Sequence, residues 1–345
     1  MKAIFKKYIL NFKQASGTSR GVLRTKETYF LKLIDGANIG IGECAIFKGL
    51  SIDDRPDYEE KLQWLCKNIN YNIDNLLNEF IEFPSIQFGL EQAFLSLKSS
   101  KPFELFPSEF TQSKASININ GLIWMGSEDF MKQQIKEKLA LGFSVLKMKI
   151  GAIDFNTEID LLKNIRKEFS SKEIELRVDA NGAFKPSEAL EKLKIVSEFE
   201  IHSIEQPIKQ GQFNEMADLC SKTPIPIALD EELIGVFNVT KKKELLQIIN
   251  PQYIILKPSL IGGFKGSEEW INLAKKQNIG WWVTSALESN IGLNAIAQWT
   301  YSLHTKMPQG LGTGSLFTNN IESPLEVKKG HLYYNNTKEW NFNLL

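Results

Sequence analysis

The stretch FSVLKMKI (Phe143–Ile150) has the composition of a buried β-strand that two lysines interrupt. Side chains alternate between the faces of a strand, so Lys147 and Lys149 share one face and lie roughly 6–7 Å apart. Their mutual repulsion and partial burial both favour the neutral amine, and the pair is therefore a candidate source of a general base. On this stretch alone, an exposed edge strand with two solvated lysines is an equal alternative.

Four later strand-like stretches each end in an ionisable residue. This pattern decides between a buried strand that carries a general base and an exposed edge strand. ELRVDAN, IHSIEQP, PIPIALDEE and YIILKPS end near Asp179, Glu205, Asp230 and Lys257. The steps that begin at Lys149 are 25–30 residues long, the length of one strand plus one crossover helix. Active sites of (β/α) barrels lie at the C-terminal ends of the strands. The sequence therefore predicts an α/β fold, a (β/α)7β TIM-like barrel, with these five residues in one cavity.

The barrel is expected to occupy residues 115–321, with its first strand in ASININGLIWMG and a short eighth strand in QGLGTG. Before the barrel, strand-like stretches give way to amphipathic, helix-like ones from Tyr58 onward. Residues 1–110 are therefore predicted to form an N-terminal α+β capping domain, with antiparallel strands followed by helices. Residues 322–345 are predicted to be a C-terminal tail that returns to the capping domain.

Composition excludes several classes of partner for this chain of 345 residues. Lys+Arg and Asp+Glu both total 41, so the net charge is zero and a nucleic-acid partner is not expected. No apolar run approaches the length of a membrane span, and MKAIFKKYIL is too short and too charged for a signal peptide. Three scattered cysteines fit a reducing compartment. We expect a cytoplasmic protein, a homo-oligomer being compatible with the sequence.

Three carboxylates, those of Asp179, Glu205 and Asp230, are predicted to converge if their strands are neighbours. Carboxylates without histidine or cysteine suit a hard cation, typically Mg²⁺, for which Mn²⁺ can substitute. Lys149 and Lys257 would flank the acids on opposite sides. This arrangement suits the removal of a proton next to the carboxylate of a small-molecule substrate, with the metal stabilising the resulting negative charge. Three separately salt-bridged acids are the alternative.

The ordered set KMK, RVDAN, SIEQP, LDEE and LKPS resembles the enolase superfamily, and more closely its muconate lactonizing subgroup. That subgroup has Lys-x-Lys on the second barrel strand and a lysine on the sixth. The resemblance covers nearly the whole chain and includes the turn GIGECA (Gly40–Ala45) of a capping domain. A mandelate-racemase-like branch is disfavoured because Lys257 occupies the position where that branch has a histidine base.

Within the subgroup, three segments resemble the o-succinylbenzoate synthase family of menaquinone biosynthesis: FKGLSIDDRPDYEEKL, SALESNIGLNAIAQW and QGLGTGSLFTNNI. The resemblance implies a Mg²⁺-dependent lyase that dehydrates 2-succinyl-6-hydroxy-2,4-cyclohexadiene-1-carboxylate to 2-succinylbenzoate. It implies Lys149 as the residue that removes the α-proton and then protonates the departing hydroxide. Lys147 would contact the substrate carboxylate, and Lys257 would lie over the opposite face of the ring as a cation–π partner.

Two substrate contacts are predicted with less support from the pattern. Ser285 follows the seventh strand and keeps the spacing of the repeat, since it lies 28 residues after Lys257. Arg20 lies in a capping-domain loop that is expected to close over the site, where it could meet the succinyl carboxylate. A solvated loop arginine is the alternative for Arg20.

Other functions stay open at this point. A dipeptide epimerase or an N-succinylamino acid racemase would use Lys149 and Lys257 as two bases on opposite faces of the α-carbon. A barrel aldolase would use a lysine as a Schiff-base nucleophile, although the three acids argue against it. A non-catalytic carboxylate-binding barrel would bind its ligand without exchanging the α-proton.

Overall fold

The computed structural model describes residues 1–18 and 21–342 and begins with a three-stranded antiparallel sheet. Its strands, in the order β1-β2-β3, are Lys2–Thr18, Gly21–Asp35 and Asn38–Cys44. On one face of β2, Tyr29 and Leu33 are buried in an apolar cluster with the helices that follow. These helices are α1 (Tyr58–Asn68), α2 (Ile73–Glu79) and α3 (Pro84–Lys98). The order of strands first and helices afterwards agrees with the predicted α+β cap.

Glycines allow α3 to pack directly on β3. A Cβ atom at Gly42 would lie 1.9 Å from the carbonyl oxygen of Gly89, which belongs to the backbone of α3. A backbone atom cannot move aside as a flexible side chain can. The contact between sheet and helix therefore depends on the absence of a side chain at this position.

Gly42→Ala is accordingly expected to destabilise the protein by about 3 kcal/mol, because the added methyl group must push α3 away from the sheet. Urea unfolding followed by circular dichroism measures the change. Asn38→Ala is the matched control, since Asn38 is an exposed residue of the same strand and should change stability by less than about 0.5 kcal/mol. Equal stabilities of the two variants would contradict the close-approach argument.

Seven parallel strands follow one another in chain order and form the barrel. After the short β4 (Ser116–Asn118) come β5 (Gly121–Ile123), β6 (Val145–Lys149), β7 (Glu175–Asp179), β8 (Ser203–Glu205), β9 (Ile227–Leu229), β10 (Tyr253–Leu256) and β11 (Gly280–Val283). The segment Gln309–Gly310 closes the sheet. The Gly310 N–H donates to the carbonyl of Val283 at 2.9 Å, and the Asn120 N–H donates to the carbonyl of Gln309 at 2.9 Å. The TIM-like barrel with a capping domain is thus confirmed.

Helices connect the barrel strands and cover them on the outside. They are α4 (Glu128–Ala140), α5 (Phe155–Glu168), α6 (Pro186–Ser197), α7 (Phe213–Lys222), α8 (Val239–Ile249), α9 (Pro258–Ile261), α10 (Gly263–Lys276) and α11 (Asn290–Ser302). In α5, Leu161, Leu162 and Ile165 are buried in the main core, as expected for an amphipathic crossover helix. Within the described residues, no helix has the length and apolar character needed to span a membrane.

The first predicted barrel strand is divided in two in the structure. Only Gly121–Ile123 joins the barrel, whereas Ser116–Asn118 pairs with a C-terminal hairpin. The hairpin consists of β12 (Leu325–Lys328) and β13 (His331–Tyr334). The hairpin supplies the backbone hydrogen-bond partners of Ser116–Asn118. The regular spacing of the barrel strands does not indicate this pairing.

The C-terminal segment also contacts the cap, where the Phe342 ring lies 5.4 Å from that of Phe30. We retain as a proposal the division into a cap (1–110), a barrel (115–321) and a tail (322–345).

Strand register aligns three of the ionisable strand ends directly and brings the other two to the same end of the barrel. Lys149 is the Cα partner of Asp179, and Asp179 is the Cα partner of Glu205. Glu205 pairs with Ala228, so Asp230 follows two residues later on the same face. Lys257 directly follows β10. The chain thereby carries three acids and three lysines, including Lys147, to the C-terminal end of the barrel.

Candidate active site

Lysine ammonium groups and carboxylates alternate across the mouth of the barrel. The Asp179 carboxylate lies 2.9 Å from Lys147 Nζ and 2.8 Å from Lys149 Nζ. Lys147 also donates to Glu205, and Lys257 donates to Asp230. Lys257 Nζ is 3.9 Å from Glu205 Oε1. These contacts join all six predicted side chains into one cluster.

The three acids are deeply buried, with 0%, 2% and 2% of Asp179, Glu205 and Asp230 exposed. Burial favours the neutral form of Asp179, but the charges of Lys147 and Lys149 outweigh burial and hold the pKa of this carboxyl well below its usual value. Burial and the neighbouring Asp179 charge raise the pKa of Glu205. One cluster therefore holds acids whose pKa values are shifted in opposite directions.

The pKa of Lys147 does not follow the mutual-repulsion argument made from the strand alone. Burial lowers the pKa of Lys147, but the carboxylates of Asp179 and Glu205 outweigh burial and raise it above its usual value. For Lys257, burial is likewise outweighed by Asp230 and Glu205, and its pKa is raised. The expectation overlooked that each ammonium contacts a carboxylate from a neighbouring strand.

The acids have the chemistry of a divalent-cation site, although their oxygens contact lysines in this structure. In the described part of the chain, no group of three or more His, Cys, Asp or Glu side chains is arranged as a metal site. Ammonium groups lie against all three carboxylates. Glu205 Oε1 is buried and has no hydrogen-bond partner among the described residues. Three convergent carboxylates with one unsatisfied oxygen fit a hard cation such as Mg²⁺.

A cavity of about 190 Å³ opens above these groups. Its lining includes Lys147, Lys149, Lys257 and Asp179, together with Ser285 from the end of β11. The cap contributes apolar side chains to the lining, namely Leu23, Phe47 and Leu50. A substrate in this cavity would contact the charged groups on one side and cap residues on another.

The structure describes only one of the two predicted substrate contacts, Ser285. Ser285 lines the cavity, and its Oγ is 2.6 Å from Thr313 Oγ1. Arg20 lies outside the described residues.

Asn181 belongs to the site but was not singled out in the sequence. Its Oδ1 accepts from Lys149 Nζ at 2.5 Å, and its Nδ2 donates to Glu231 at 3.1 Å. The residue has φ of 44°, a left-handed conformation that asparagine tolerates better than most residues. Its position in RVDAN, two residues after Asp179, was the available signal. Asn181 and Lys149 both line the cavity, so their hydrogen bond joins two side chains of its wall.

Glu158 supports the same lysine through the backbone. Its Oε1 accepts from the N–H groups of Gly151, Ala152 and Ile153 at 2.7, 3.3 and 3.5 Å. These groups directly follow β6, the strand that carries Lys149. The first turn of α5 thereby fixes the end of β6, a contact that the sequence pattern alone does not indicate.

The chain is similar to several known proteins. Residues 130–337 match the enolase C-terminal domain-like family. The chain is 46% identical to an o-succinylbenzoate synthase from Desulfotalea psychrophila, over 96% of this chain and 98% of that protein. The crystal structure of MenC from Desulfotalea psychrophila LSv54 superposes with a TM-score of 0.86 at 42% identity, covering 96% of this chain and 99% of that one.

A more distant solved structure shares the fold. The dipeptide epimerase from Enterococcus faecalis V583, complexed with Mg and L-Leu-L-Tyr, has a TM-score of 0.83 at 18% identity and 96% coverage of both chains. The family match spans more than half of the chain, and the o-succinylbenzoate synthase match spans nearly all of it. The chain therefore belongs to the enolase C-terminal domain-like family, and within it to the group of the o-succinylbenzoate synthases.

Proposed function

We propose that the protein is an o-succinylbenzoate synthase, a carbon–oxygen lyase that dehydrates 2-succinyl-6-hydroxy-2,4-cyclohexadiene-1-carboxylate to 2-succinylbenzoate. The observation that carries this proposal is the 46% identity to an enzyme of that name over 96% of the chain. The clustered lysines and acids support it, because they suit the removal of a proton next to a carboxylate. A dipeptide epimerase is disfavoured, since the epimerase structure compared above is only 18% identical.

Proton removal is assigned to Lys149. In its neutral form the amine takes the α-proton of the substrate, and the C–H electron pair moves into the ring as the C–O bond to the hydroxyl breaks. The Lys149 ammonium then gives its proton to the departing hydroxide, so water leaves from the same face. The ring becomes aromatic, which drives the step forward. Asn181, at 2.5 Å from Nζ, holds the amine in position.

The other charged groups bind and orient the substrate. Mg²⁺ held by Asp179, Glu205 and Asp230 would supply positive charge at the substrate carboxylate while the α-proton leaves. Lys147 adds a second positive charge on the same strand face as Lys149. Lys257 lies on the opposite side of the acid cluster and presents its ammonium to the ring as a cation–π partner. Ser285 and Arg20 are proposed as substrate contacts.

The proposed setting is the cytoplasm, and the proposed partner is this small carboxylate rather than a nucleic acid or a membrane. Assembly into a homo-oligomer is compatible with the proposal, which does not require it.

The proposal is tested by following the formation of 2-succinylbenzoate in purified protein, with Mg²⁺ and with a chelator. Product with Mg²⁺ and none with the chelator is the expected result. A dipeptide such as L-Ala-L-Glu in D₂O is the comparison substrate. Deuterium uptake by the dipeptide without dehydration of the first substrate would favour an epimerase. Binding of the first substrate without product or α-proton exchange would favour a non-catalytic carboxylate-binding barrel.

A further inference from the structure

Part of the cavity wall belongs to the cap and lies between two buried carboxylates that proton removal does not use. We call residues 45–52 the wall segment, because its side chains Phe47 and Leu50 line the cavity. Glu43 precedes the segment at the end of β3, and Asp53 directly follows it. Both acids have an exposed fraction of 0%. Burying a carboxylate is costly unless hydrogen bonds compensate it, so the partners of these acids indicate what they hold in place.

Glu43 fixes the start of the wall segment on the barrel. Its Oε1 accepts from the Ser289 N–H at 2.9 Å, and its Oε2 accepts from the Gly292 N–H at 2.8 Å. Both donors lie at the start of α11, where backbone N–H groups have no partner within the helix. The chain therefore leaves β3 from a point that is docked on the barrel.

Asp53 fixes the end of the wall segment on the cap. Its Oδ2 accepts from the Ser85 N–H at 2.9 Å and from Ser85 Oγ at 2.7 Å. Ser85 is the second residue of α3, so the carboxylate takes up a backbone donor of a helix N-terminus. Ser85 Oγ also lies 2.6 Å from the hydroxyl oxygen of Tyr58 on α1. Asp53 therefore connects the wall segment with two helices of the cap.

The wall segment itself is a compact turn. The N–H groups of Leu50 and Ser51 donate to the carbonyl of Phe47 at 3.0 and 2.8 Å. The Phe47 N–H donates to Ser51 Oγ at 2.8 Å. Ile52 reaches the barrel segment after β9, because a Cβ atom placed at Gly235 would lie 3.5 Å from Ile52 Cδ1. Since these bonds connect the residues of the turn, a shift at Asp53 should move Phe47 and Leu50 together.

We propose that Asp53 is a positioning residue for substrate recognition, whose hydrogen bonds to Ser85 hold the wall segment against the cavity. The inference rests on the proposed function, because this wall would contact the dehydration substrate. Lys149, the residue assigned to proton removal, belongs to β6 of the barrel and not to the cap. The loss of Asp53 should therefore weaken substrate binding more than proton removal.

An uncharged acceptor should replace Asp53 well. Burial raises the pKa of Asp53 to about 6, although hydrogen bonds from Ser85 and Ser51 oppose this change. The buried site thus disfavours the negative charge itself. Asparagine keeps an acceptor oxygen of nearly the same shape without that charge, whereas alanine leaves the two Ser85 donors without their acceptor.

The test compares Asp53→Ala with Asp53→Asn in the dehydration assay. We expect Asp53→Ala to raise KM about tenfold while kcat changes less than about threefold, because the wall segment loses its hold on α3. In Asp53→Asn, KM should stay within about threefold of the parent value. Asp35→Ala, which removes an exposed carboxylate of β2, is the matched control and should leave both constants unchanged.

Three outcomes would overturn the inference. The first is an unchanged KM in Asp53→Ala, whether or not kcat falls. The second is an equal rise of KM in Asp53→Ala and Asp53→Asn, because the proposed hydrogen bonds survive only in the latter. The third applies if Asp53→Ala does not fold. Ser85→Ala then decides, since it removes one donor and should raise KM about threefold at constant kcat, and an unchanged KM overturns the inference.

A readout without substrate separates this inference from the proposed function. If the parent protein forms no 2-succinylbenzoate, the proposed function fails by itself. Amide hydrogen exchange of residues 47–51 then tests the wall segment, because its turn contains hydrogen-bonded N–H groups. Faster exchange in Asp53→Ala than in Asp35→Ala supports the positioning role, and equal exchange overturns it.

Discussion

Lys149→Ala is expected to abolish dehydration in a protein that still folds. The variant lacks the amine that takes the α-proton, and three factors of ten in rate correspond to about 4 kcal/mol of barrier. Formation of 2-succinylbenzoate in stopped assays measures the loss. Lys163→Ala, which removes an exposed lysine of α5, is the matched control and should keep full activity.

Lys257→Arg separates this one-base mechanism from a two-base racemisation. Arginine keeps a positive charge beside Asp230 but cannot serve as a base at neutral pH. Dehydration needs only charge on this face, so measurable synthase activity should remain if the longer side chain fits. Any racemase activity should disappear, because each face of a racemised carbon needs its own base. The one-base mechanism would be contradicted if Lys257→Arg lost as much dehydration activity as Lys149→Ala. A structure of Lys257→Arg would have to show that its site is otherwise undisturbed.

Removal of the metal is expected to have an effect of similar size. Treatment with EDTA should reduce dehydration by at least three factors of ten, about 4 kcal/mol, and Mg²⁺ or Mn²⁺ should restore it. Asp230→Asn should weaken Mg²⁺ binding, because an amide oxygen carries no net charge for a hard cation. Titration calorimetry with Mg²⁺ measures this binding, and circular dichroism checks that the variant folds.

Asp160→Asn is the control for the metal experiment, since Asp160 is exposed on α5 and does not line the cavity. It should bind Mg²⁺ like the parent. Full activity in a preparation shown to be free of metal would refute the proposed role of the three acids.

The sequence was most informative where a spacing repeated. Lys149, Asp179, Glu205, Asp230 and Lys257 were predicted to share a cavity because each ends one strand of a regular unit. In the structure Lys149, Asp179 and Lys257 line the cavity, and ion pairs that run through Lys147 connect them to Glu205 and Asp230 beneath it. The repeat constrains only the position of each residue along its strand. It therefore indicated that the five side chains lie at the same end of the barrel, but not which lysine contacts which acid.

Contacts between segments that are far apart in the sequence are not indicated by any repeated spacing. Glu43 and Ser289 are separated by 246 positions, and neither belongs to the strand-end repeat. The hairpin that pairs with Ser116–Asn118 could not be placed because short strands take their partner from the folded chain. Asn181, in contrast, belongs to the motif RVDAN, which also contains Asp179, so its proximity to the site could have been predicted.

The aligned strand ends of β6, β7 and β8 also constrain how such a chain can diverge. Lys149, Asp179 and Glu205 are direct Cα partners, so one inserted or deleted residue inside a strand would turn a functional side chain to the opposite face. The alignment with the Desulfotalea psychrophila relative spans 364 positions, more than the 345 residues of this chain, so it contains gaps. We expect those gaps to fall in loops and helix ends, which can change length while the register of the strands is preserved.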